Sequence, residues 1–184
     1  MSTIPLNLHR SPAAGFDEPF EMLLACHERV QHMLALLLRL GAHLREHGVD
    51  ESARQAARDV MRYFDQAGPA HHEDEERHLF PLLLAQGEPD IIAVVRRLQQ
   101  DHQAMTVQWR TVRADLQTIA DGAWQVAQAA TTAPRWQTYA DLYAGHIAAE
   151  EGQAYPAARP LLPAAAQRVM GQEMAQRRGA PPPP

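Results

Sequence analysis

Residues 71–81 read HHEDEERHLFP and residues 146–156 read HIAAEEGQAYP. Both follow the pattern His-x-x-x-Glu-Glu-x-x-x-aromatic-Pro, displaced by 75 residues (146 − 71). The same displacement carries His27 onto His102, and each of these lone histidines precedes its His-x-x-x-Glu pair by 44 residues (71 − 27 and 146 − 102). An acidic helix face turned to solvent has no reason to keep such a register. Imidazole is a common metal ligand, and ligation demands fixed positions.

Working outward, the flanking residues carry helical spacing, and no segment alternates long enough for a sheet. At about 100° per residue, positions i and i+4 lie roughly 40° apart on one face. His71 with Glu75, and His146 with Glu150, can therefore address one point. His27 falls in the stripe Phe20, Leu23, Leu24, Val30, Leu34, Leu37, Leu38 and Leu44, and His102 among Ile91, Val95, Leu98, Met105, Trp109 and Leu116. Both should face the interior. Asp17 is expected to cap the first helix, with Pro19 in its first turn and Gly48 ending it. The second helix starts near Asp50 or Glu51, is interrupted at Gly68-Pro69, resumes over 71–80 and bends at Pro81. The third runs from about Asp90 to Ala120, and the fourth follows Thr131-Thr132-Ala133-Pro134 towards Pro156. The expected fold is all-α, an up-down four-helix bundle over residues 17–162. An extended segment, 1–16, precedes it. Residues 163–184 add a short C-terminal helix, 163–177, and a Pro-rich tail expected to be disordered.

Composition narrows the function classes. A chain of 184 residues with 46% apolar and 21% charged residues suits one buried core. A net charge of −5 argues against nucleic acid or an anionic membrane surface as partner. All 17 basic residues are arginines, which removes Schiff-base lysine chemistry and the lysine of a phosphate loop. Cys26 stands alone, so neither a disulfide framework nor a thiolate zinc cage is available. The N-terminus lacks a signal-peptide stretch, and MLALLLRL at 33–40 is too short to span a bilayer. A cytoplasmic setting without a membrane is expected, and a homodimer is left open.

Four imidazoles and two carboxylates converging in a bundle core suit two metal ions bridged by the carboxylates, since bare carboxylates there are costly. Nitrogen and oxygen donors without thiolate favour iron, and manganese or zinc also accept them. His27 or His102 alone would read as a satisfied core histidine; their shared register reverses that reading. His72 and Glu76 form a rival pair facing Leu79 and Leu83, and His71 with Glu75 is preferred because it matches the second repeat. His78, about 20° from His71, is expected to hydrogen-bond behind the ligands rather than to ligate. His32, His43 and His47 are expected in solvent, His9 in the loose N-terminal segment, and Cys26 in plain burial. Tyr139 and Tyr143 share the face of His146, as packing, with an approach to the metals left open.

The segments CHERVQHM around His27, HHEDEERHLFP around His71, LQQDHQAM around His102 and HIAAEEGQAYP around His146 resemble the hemerythrin-like HHE cation-binding domains, over about residues 16–162. The resemblance implies a non-haem diiron centre, two iron ions on His27, His71, Glu75, His102, His146 and Glu150, in a four-helix bundle. It implies a small ligand such as O2 or NO, in binding, sensing or iron and redox handling. Oxygen-carrying members have a fifth histidine one turn after the first on the third helix. Here Thr106 holds that position and Leu98 lies one turn before, so reaction with peroxide or binding of NO is expected rather than reversible carriage. No catalytic residue is assigned, and the reading leans away from an enzyme. The alternative is a diiron oxidoreductase acting on peroxide or nitric oxide. Iron storage of the ferritin kind wants Glu-x-x-His on two helices, and only Glu75-x-x-His78 matches.

Overall fold

Prolines, glycines and one capping aspartate divide the chain into helices. The structure, a computed structural model, describes residues 15–181 and 183. Four long helices form the frame: α1 (Pro19–His47), α2 (Glu51–His78), α4 (Pro89–Ala120) and α5 (Ala129–Ala149), with the short α3 (Phe80–Gln86) between α2 and α4. The long helices close into the ring α1–α2–α4–α5, each packed on two neighbours, the arrangement of an up-down bundle. A π-helical turn (Glu150–Ala154), α6 (Tyr155–Ala158), a 3-10 turn (Arg159–Leu161) and the C-terminal α7 (Ala164–Arg177) follow. No strand occurs among the described residues, and the fold is the all-α bundle with an added C-terminal helix. Among them no helix is long and apolar enough to cross a membrane. Residues 1–14 of the expected extended segment, His9 included, lie outside the described residues, as do 182 and 184 of the tail.

Several boundaries differ from expectation. Glu18, not Asp17, is the N-cap of α1, and no side chain caps that end. Asp50 does cap α2, accepting from the Ala53 N–H at 2.8 Å. Gly48 ends α1 at φ 73°, a conformation that favours glycine. The expected interruption at Gly68-Pro69 is absent: α2 continues to His78 and breaks at Leu79. An interior proline removes one backbone bond, but packing carries most helical stability. Gly68 is buried, with the Tyr143 hydroxyl 3.6 Å from where a Cβ would stand, and Phe64 beside it. Pro134 likewise sits inside α5, which starts earlier, at Ala129.

Pro81 and Pro156, equivalent in the repeat, each follow a distorted turn. At Pro81 the helix breaks at Leu79 and restarts as α3. At Pro156 the preceding turn widens, and the Tyr155 N–H bonds the Glu150 carbonyl, five residues back.

Two apolar clusters fill the bundle. One gathers Leu37, Leu40, Phe64, Leu116 and Trp136; the other gathers Leu23, Phe80, Leu98, Met170 and Met174. A layer of buried polar side chains separates them: His27, His71, Glu75, His102, His146 and Glu150. The C-terminal helix closes the second cluster. Asp74, fully buried, accepts from Arg177 Nε at 2.8 Å and from Arg178 Nη2 at 2.6 Å. Gly171 lets the chain before α1 cross α7, since a Cβ there would collide with the Phe16 carbonyl oxygen.

Candidate metal centre

The polar layer is two pairs of imidazoles with two carboxylates between them. His27 Nε2 faces His71 Nε2 at 3.0 Å, and His102 Nε2 faces His146 Nε2 at 3.1 Å. Each pair joins the lone histidine of one helix to the His-x-x-x-Glu histidine of the next. Glu75 sends Oε1 towards His71 Nε2 (3.4 Å) and Oε2 towards His102 Nε2 (3.5 Å). Glu150 sends Oε2 towards His27 Nε2 (3.1 Å) and Oε1 towards His146 Nε2 (2.9 Å). Each carboxylate thus divides its oxygens between the two pairs. The result is two four-donor groups that share both glutamates: His27, His71, Glu75, Glu150, and Glu75, His102, His146, Glu150.

A second pair of glutamates holds the two lone histidines from outside. His27 Nδ1 lies 2.8 Å from Glu151 Oε1, and His102 Nδ1 lies 3.0 Å from Glu76 Oε1. Glu76 and Glu151 are the second members of the two Glu-Glu doublets. Each reaches the lone histidine of the opposite repeat. A carboxylate on Nδ1 fixes the tautomer that leaves Nε2 free to ligate. His146 Nδ1 has Asp101 Oδ2 at 3.5 Å. Burial disfavours charge on His71 and holds it well below the ordinary histidine range; His146 is pushed down for the same reason. Burial acts on His27 and His102 too, but the carboxylates around them, Glu150 for the first and Glu75 for the second, override it and raise both.

Sequence reasoning passed over Tyr155. Its hydroxyl, buried, donates to Glu75 Oε1 and lies 3.1 Å from His27 Nε2. In an unbroken α-helix Tyr155 would sit about 140° round from Glu150. The π turn holds one more residue, which returns the ring to the face of the ligands. The visible signal was the aromatic-Pro ending shared by both repeats.

Of the remaining residues, several histidines depart from expectation, whereas Cys26, Tyr139 and Tyr143 are buried and packed as expected. His72 does not pair with Glu76, which is turned to His102 and Gln99. It stacks on the His102 ring at 3.9 Å and 14°, and it comes within reach of His102 and His146 as a third donor cluster. His78 hydrogen-bonds nothing in the polar layer; its Nε2 meets Arg177 (3.2 Å) and Glu173 (3.3 Å) of α7. His43 is not solvated, its side chain 8% exposed and 3.1 Å from Asp50, and His32 is half-buried. Cys26 is buried. Tyr139 and Tyr143 pack on Phe64, at 5.6 Å each.

A cleft of about 330 Å³ opens between α2 and α4, lined by Phe64, His72, His102, Thr106, Trp109 and Tyr143 among others. It reaches only one imidazole pair, through His102.

The donor set fits metal ions. Imidazole Nε2 atoms about 3 Å apart stand at the spacing of neighbouring positions in one ion's shell. Glu75 Oε2 and both oxygens of Glu150, all buried, accept no hydrogen bond; the nearby imidazole nitrogens are close but not aligned as N–H donors. Buried carboxylate oxygens in that state are costly unless a cation takes them. The sequence model of the hemerythrin HHE cation binding domain matches residues 18–158. A relative from Haemophilus influenzae, itself described as an uncharacterized protein, is 28% identical over 165 residues, covering 90% of this chain and 92% of the relative.

Proposed function

The chain belongs to the hemerythrin HHE cation-binding family, and we propose that it holds two iron ions and binds or senses a small ligand such as O2 or NO, in iron or redox handling. One ion would be held by His27 and His71 and the other by His102 and His146, with Glu75 and Glu150 in reach of both pairs. One observation carries this reading: each of the two buried carboxylates presents one oxygen to each imidazole pair. Imidazole and carboxylate donors without thiolate suit iron; manganese and zinc take the same donors.

Iron held by these residues would supply one-electron redox chemistry and Lewis acidity towards a small ligand. The chain supplies the rest. Glu151 and Glu76 hold His27 and His102 by Nδ1, so their Nε2 lone pairs point inward. The apolar clusters on either side exclude bulk water, and the cleft between α2 and α4 admits small molecules beside His102.

Protein produced with iron should carry about two ions per chain by elemental analysis, and His102→Ala should lower the count to about one. A single tightly held ion that His102→Ala leaves in place overturns the dinuclear reading. The reduced protein should change its optical spectrum on titration with NO. Consumption of peroxide or NO over many equivalents per chain would move the assignment from binding to an oxidoreductase.

A further inference from the structure

We propose that the Tyr155 oxygen is a further metal ligand, so that the two metal positions are unequal: the His27/His71 position is closed, and the His102/His146 position is open to the cleft. This rests on the dinuclear reading above.

The repeat makes the inequality visible. His27 corresponds to His102, His71 to His146, Glu75 to Glu150 and Glu76 to Glu151, 75 residues apart in every case. At the next inward-facing position the halves diverge: Phe80 in one, Tyr155 in the other. The two rings do the same packing. Phe80 stacks on His102 at 5.5 Å and 21°, and Tyr155 stacks on His27 at 5.4 Å and 11°. A phenyl ring therefore suffices to fill this position, and the hydroxyl of Tyr155 requires a separate reason.

Its surroundings supply one. The hydroxyl's partners, Glu75 Oε1 and His27 Nε2, are both donor atoms of the His27/His71 group. Its 3.1 Å from His27 Nε2 matches the 3.0 Å between His27 Nε2 and His71 Nε2, so the oxygen stands among the donors at the spacing they keep from each other. The widened turn at Glu150–Ala154 is what brings it there, and such turns concentrate at functional sites. On binding a cation the phenol oxygen would give up its proton to solvent, and the phenolate would add a negative charge to the layer that holds Glu75 and Glu150. The other half has only a phenyl ring at this point. It also has the more exposed lone histidine, His102 at 6% against His27 at 1%, beside the cleft.

Iron-loaded, oxidised protein tests this. A ferric phenolate gives a charge-transfer band in the visible and resonance-enhanced phenolate ring modes. Both are expected in the wild type and lost in Tyr155→Phe with two irons per chain retained, while Tyr63→Phe, which removes a hydroxyl that donates to the Cys26 carbonyl instead, keeps them. Phe80 shows that a phenyl ring packs at this position, and protein carrying ring-deuterated tyrosine should shift the same modes without any substitution. Two irons per chain with no phenolate modes, or modes that survive Tyr155→Phe, overturn the proposal. An iron count in the wild type other than two counts against the dinuclear reading instead.

Discussion

Glu76 and Glu151 illustrate how much one side chain outside the ligand set can govern. Each accepts from the Nδ1 face of a proposed ligand histidine across a helix boundary: Glu76 of α2 from His102 of α4, and Glu151, just beyond α5, from His27 of α1. Losing such a partner frees the ring to rotate and lowers its basicity, at a cost of about 10–100-fold in metal affinity. Glu76→Ala and Glu151→Ala should each weaken metal binding by that amount in competition with a chelator. Glu75→Ala and Glu150→Ala should cost more, because each removes a donor from both positions. An equal loss for Glu76→Ala and Glu75→Ala would reassign the ligands of α2. The convergence of His27, His71, Glu75, His102, His146 and Glu150 was legible because their repeat register is independent of any structure. The role of the second glutamate was not: it depends on which helix lies alongside, and a Glu-Glu doublet reads equally well as a ligand beside its rival.

The helices were legible from the spacing of their apolar residues, whereas their irregularities were not. A proline predicts that a backbone bond is lost but not how the chain absorbs the loss. Pro69 is absorbed without a break, Pro81 with a break at Leu79, and Pro156 with a widened turn. That last response turns Tyr155 inward, and no pure α-helical wheel would place it there. The role of α7 was also hidden, because beside the apolar packing of Met170 and Met174 its end is fixed by charged contacts. Asp74 is fully buried against Arg177 and Arg178, whose side chains are 14% and 21% exposed. His78, expected behind the ligands, is drawn into this ion network instead. Removing both guanidinium groups leaves an uncompensated buried carboxylate, which costs about 3–5 kcal/mol. The double variant Arg177→Ala/Arg178→Ala should therefore melt about 6–20 °C lower, given roughly 2–4 °C per kcal/mol in a chain of this size. Asp74→Ala should cost less, since both arginines can turn towards water. Thermal unfolding followed by circular dichroism distinguishes the two, and equal losses would mean that the helix, not the ion pair, holds this end.

Across the whole molecule, the polar layer lies between two apolar clusters, so folding without metal must bury four imidazoles and two carboxylates, with Nδ1 of His71 and His146, Glu75 Oε2 and both Glu150 oxygens left without a hydrogen bond. A metal that binds the folded chain and not the unfolded one adds its binding free energy to stability. At a free concentration one hundred times the dissociation constant, one site contributes about 2.7 kcal/mol. Chelation should therefore lower the melting temperature by about 5–11 °C for a single site at that saturation, and further when both are emptied. The sign of the pH dependence follows from the ligands. Imidazole binds metal only when neutral, so protons compete with the ion and affinity falls as the solution becomes more acidic. The gap between melting curves with and without chelator should be wide near pH 8 and narrow near pH 5. The check is a pair of thermal scans at each pH on protein whose metal content has been measured beforehand. Coincident curves near pH 8 for the loaded protein would mean that the layer is stable without its ions, and the metal would lose its part in holding the bundle together.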